Sequence, residues 1–71
     1  MKIILTNHVR ERMRERGISE KEIMECVQYP DEIFKESERI CRFQKVFPYG
    51  ILKVVGEIKG GYFVVVTAYP L

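Results

Sequence analysis

The chain has 71 residues, 46% hydrophobic and 31% charged, which leaves room for one small core over residues 1–71 and no second domain. Three prolines and five glycines argue against a disordered tail. No apolar run approaches the roughly 20 residues that span a bilayer, so a membrane partner is not expected. The opening Met1-Lys2-Ile3-Ile4-Leu5 is too short for a signal peptide.

The net charge of +2 is unevenly spread. Residues 1–18 hold five basic and two acidic side chains, residues 19–38 two and seven, and residues 39–71 five and one. Two basic segments flanking an acidic one suit an anionic ligand on one face only. Cys26 and Cys41 lack metal-ligand spacing, and two buried thiols in a reducing cytosol are expected. Neither a metal nor a cofactor is called for.

In chain order, Lys2–Leu5 reads as a short strand. Thr6 or Asn7 can then cap a helix that carries Val9, Met13 and Arg16 and stops at Gly17, placed as a C-terminal cap glycine. His8, Arg12 and Arg16 recur every four residues and form a stripe beside the apolar face. Ser19 and Glu22 form a capping box, with Ile18 and Ile23 as its hydrophobic staple. The second helix ends at Tyr29-Pro30, because the residue before proline is pushed out of the helical region.

From Asp31 the period becomes strand-like. Residues 31–36 read as a short strand and Ser37-Glu38 as a turn. Between Arg39 and Phe47, Cys41, Phe43, Lys45 and Phe47 alternate with Ile40, Arg42, Gln44 and Val46. A turn at Pro48-Tyr49-Gly50, a β-branched strand over 51–58 and a tight hairpin at Lys59-Gly60-Gly61 follow. Residues 62–69 are nearly all apolar and predict a central strand covered on both faces. The expected fold is α+β: an N-terminal strand and a helical hairpin packed on an antiparallel sheet of three or four strands, with the first strand able to pair beside the last.

The lone histidine, His8, falls in a first helical turn with Arg12 one turn on. Both disfavour an imidazolium, so a neutral ring there can act as a general base beside an anion. Arg12 and Arg16 can hold a phosphate through their guanidinium forks. The plainer alternative is that the arginines pair with Glu11 and Glu15 in solvent. Thr67 is the one hydroxyl within the apolar final run; it either serves strand propensity or donates to His8 or a phosphate oxygen. Arg42 and Lys45 lie on opposite faces of one strand, the Lys45 stem crossing apolar surface. Tyr69 and the other tyrosines can stack on bases or fill core and rim.

The run from Thr6 to Ser19 resembles the opening H-(A/V)-x-x-R-M-x-x-R-G-I-S of a bacterial family of small domains of unknown function, number 4258. The likeness extends through Pro30 to Val66-Thr67-Ala68-Tyr69. That family resembles the RelE/ParE and BrnT-like toxins, grouped with the metal-independent ribonucleases of the barnase–EndoU–colicin–RelE class. The resemblance implies a cytoplasmic endoribonuclease, with RNA as substrate and an antitoxin protein as partner. In such enzymes the ribose 2′-hydroxyl attacks the adjacent phosphodiester to leave a cyclic phosphate. By position, His8 would be the base or acid, Arg12 and Arg16 the phosphate clamps, and Thr67 a positioning group. Arg42, Lys45 and Tyr69 would contact substrate. The alternatives are a non-catalytic module of the same fold, binding nucleic acid or protein, and a subunit that dimerises through a sheet edge.

Overall fold

A computed structural model describes residues Lys2–Leu71. The elements are β1 (Lys2–Leu5), α1 (Asn7–Arg16), α2 (Glu20–Gln28), β2 (Glu32–Lys35), β3 (Ile40–Phe47), β4 (Gly50–Lys59) and β5 (Tyr62–Pro70). Both helices begin and end where the capping chemistry places them. Thr6 is the N-cap of α1 and accepts from the Val9 amide at 3.2 Å. Gly17 closes α1 at φ 66°, where a side chain would be strained. Ser19 and Glu22 form the expected reciprocal box at the start of α2.

The strands form one five-stranded sheet in the order β1-β5-β4-β3-β2. β2 to β5 are the four antiparallel strands expected, and β1 pairs beside β5 as expected; the sheet is mixed, since β1 runs parallel to β5. Both helices lie on one face. Val9, Met13, Ile18, Ile23 and Cys26 from the helical side meet Cys41, Leu52, Val54, Phe63, Val65 and Ala68 from the sheet. Phe63 packs edge-on to Phe43, with centroids 5.1 Å apart.

One expectation is overturned. β5 is covered on one face only, and Val66 is 50% exposed. The reason lies in the β4–β5 ladder. The hairpin register that begins with Lys59 opposite Tyr62 holds to Gly56 opposite Val65, and then Val55 faces Thr67. Val66 is thus the extra residue of a β-bulge. Beyond it Ala68, not Thr67, enters the core opposite Val54.

Candidate nucleic-acid interface

The bulge decides which side chains reach the uncovered face of the sheet. Thr67 and Tyr69 lie there, opposite Val55 and Lys53. Lys53 in turn stands opposite Gln44, and Val55 opposite Arg42, which faces Phe34 on β2. Two rows therefore cross the open face: Thr67, Val55, Arg42 and Phe34 in one, Tyr69, Lys53, Gln44 and Glu32 in the other. The Lys53 ammonium sits 5.4 Å from the centroid of the Tyr69 ring, and the Arg42 guanidinium lies 4.3 Å over the Phe34 ring. Cations and aromatic rings are interleaved on a surface that no helix covers.

Arg16 joins this face from α1. β1 pairs with β5 only as far as Leu5 opposite Val65, so the edge of β5 beyond that point has no strand beside it. The Arg16 guanidinium fills the gap, donating to the Ala68 carbonyl at 2.9 Å and to the Thr67 hydroxyl at 3.4 Å. Of the residues singled out in the sequence, Arg16 and Thr67 are brought into contact. Tyr69 lies two residues beyond Thr67.

The others are placed elsewhere. His8 is exposed in the first turn of α1. Arg12 turns to Glu15 at 3.0 Å in solvent, as the plainer alternative has it, and Arg10 pairs with Glu20 at 3.1 Å. Arg42 is on the open face but bonds Glu36 at 2.9 Å, and its Nε is buried without a partner. Lys45 is on the helical face, opposite buried Leu52, and donates to the Tyr29 carbonyl at the end of α2 at 2.8 Å. There it caps the helix C-terminus, where a cation is favoured. Lys45 and Arg42 cannot meet one ligand together.

Lys53 was not singled out by sequence reasoning. Its alternation with the apolar Leu52 and Val54, both buried, signals an outward-facing cation, but the ring it faces is set by the bulge. Among the described residues no group of three or more His, Cys, Asp or Glu is arranged to hold a metal ion. No helix among them is long and apolar enough to cross a membrane.

A helical hairpin on one face of a mixed five-stranded sheet, with the other face open, defines a two-layer α+β domain. The model of the family described as a domain of unknown function (DUF4258) matches residues 5–70, and the chain belongs to that family. No curated protein and no solved structure matches it.

Proposed function

We propose that the domain binds single-stranded RNA on the open face of its sheet. The observation that carries this reading is the Lys53–Tyr69 pair two residues along β5 from the Arg16–Thr67 contact, an aromatic ring and two cations on one strand and its neighbours. A base stacks on the ring while the flanking ammonium and guanidinium groups meet phosphates, the usual division of labour on single-strand platforms. RNA, rather than DNA, is our choice because the family whose opening α1 resembles is itself likened to the RelE-type ribonucleases. The test is anisotropy of a labelled oligouridine against wild type, Lys53→Glu and Tyr69→Ala. Salt-sensitive binding lost in both variants supports the reading; binding untouched by either, or no binding at low salt, overturns it.

The endoribonuclease reading takes His8 as base and Arg12 and Arg16 as clamps, and of these Arg16 alone reaches β5. The Arg16–Thr67 contact favours it, because it puts a phosphate donor beside a hydroxyl. The ion pair of Arg12 with Glu15 favours binding without cleavage. Cleavage of RNA to cyclic-phosphate ends in EDTA, lost in His8→Ala, would decide for the enzyme.

A further inference from the structure

A second surface lies away from this face. β2 ends the sheet and hydrogen-bonds β3 on one side only. On the helical face a groove of about 430 Å³ is lined by Ile3 of β1, by Val27, Gln28 and Tyr29 at the end of α2, and by Phe43 of β3, the strand next to β2. Ile33 stands directly opposite Phe43 on that face, so the apolar wall of the groove continues to the sheet edge. Tyr29 and Ile33 are 70% and 60% exposed. Isolated apolar side chains at a surface are ordinary, but two beside an apolar groove and a free strand edge form a patch.

The charge around the edge is acidic. Residues 31–38 carry Asp31, Glu32, Glu36 and Glu38 against Lys35 alone. Strand alternation sorts them: Ile33 and Lys35 face the helical side, Glu32 and Phe34 the open side.

We propose that β2 is the docking edge for an extended segment of a partner polypeptide in which apolar side chains alternate with lysine or arginine. The segment pairs with the free backbone groups of β2. Its apolar side chains lie beside Ile33 toward the groove, and its cations meet Glu32, since Glu36 is paired with Arg42 and Asp31 accepts from the Val46 amide. A second copy of this chain is a poor occupant. In an antiparallel pairing that keeps both helical layers on one side, opposed residues share a face, so Glu32 meets only Glu32, Phe34 or Glu36 of the copy, none of them basic.

The probe is a short peptide alternating valine and lysine, titrated into the isotopically labelled domain, with a valine–glutamate peptide as control. The expected result is movement of the Tyr29 and β2 amide signals with the basic peptide alone, and loss of affinity of about tenfold or more in Ile33→Asp. Both Ile33 and Tyr29 are exposed, so Tyr29→Ala is the second variant should Ile33→Asp disturb β2; it weakens binding in the same direction. Lys53→Glu, on the RNA face, leaves peptide affinity unchanged. Equal binding of the acidic peptide, shifts confined to the open face, or concentration-dependent shifts of β2 without peptide, which would mean a second copy on this edge, each overturn the proposal.

Discussion

Thr67 faces Val55 across the β4–β5 ladder, one residue displaced from the partner that an unbroken hairpin would give it. In the unbroken register Thr67 would stand opposite Val54, inside the core, and Tyr69 would follow it inward. The extra residue Val66 turns both outward and lets the small Ala68 fill the buried place, 1% exposed. A polar, aromatic row on the open face is therefore the product of one inserted residue.

Lys53 and Tyr69 contribute to RNA affinity by different physics. Lys53→Met lowers the slope of log affinity against log salt by about 1, because one fewer counterion is released. Tyr69→Ala loses stacking, about 1–3 kcal/mol, and leaves the slope unchanged. Anisotropy titrations over a salt series separate the two; equal slopes for both variants would refute the assignment.

Arg42 is held back from a ligand by its ion pair with Glu36. Glu36→Gln releases that guanidinium and removes a like charge from the path of the phosphates. RNA affinity should rise by about threefold at low salt, the scale of one partly exposed ion pair. A fall in affinity, read by the same titration, would show that Arg42 does not reach the ligand.

Lys45, by contrast, belongs to the fold. Lys45→Met keeps the apolar stem over the core but loses the bond to the Tyr29 carbonyl. Urea unfolding should show about 1 kcal/mol less stability, with oligouridine affinity unchanged.

Gly56 lies beneath the Phe63 ring, and a Cβ there would come within 2.4 Å of the ring carbon Cζ and 2.7 Å of the Val64 carbonyl. Since a carbonyl cannot swing aside as a side chain can, Gly56→Ala should cost about 1–3 kcal/mol. A melting temperature equal to that of wild type would contradict this packing.

Burial pushes the Cys26 thiol up to about 11 from an ordinary 9.0. Its folded value is thus raised above its unfolded one. The stability it contributes is complete below about pH 9 and is lost as pH rises toward 11. Urea midpoints measured across that interval should fall, and fall less in Cys26→Ala. At pH 8 the native thiol should react with a disulfide reagent only as fast as the domain opens.

Much of this molecule is legible in the chain. Thr6, Gly17, Ser19 with Glu22, and Tyr29-Pro30 act within one helical turn of themselves, so both helices begin and end where those residues place them. The Gly60-Gly61 hairpin is equally local. The faces of β5 are not, because every residue from Tyr62 to Tyr69 except Thr67 is apolar and alternation has little contrast to report. The register there depends on the fit of Ala68 against Val54, a contact between strands. Arg16 was legible as a cation on a helix stripe, but its partner on β5 is 52 residues away. Arg12 and Arg16 share that stripe, yet one turns to solvent and the other to a strand edge.

The parallel pairing of β1 with β5 also bears on how the domain is assembled. Its two partners are separated by nearly the whole chain, whereas β2 to β5 form a meander of neighbours. Closing so long a loop is slow compared with zipping hairpins. During synthesis, Ile3, Ile4 and Leu5 leave the ribosome ahead of the other strands but have no strand to join until Phe63 to Val65 follow. The meander matures before its first strand is seated, and in pulse-labelled exchange the β1 amides should be the last to gain protection.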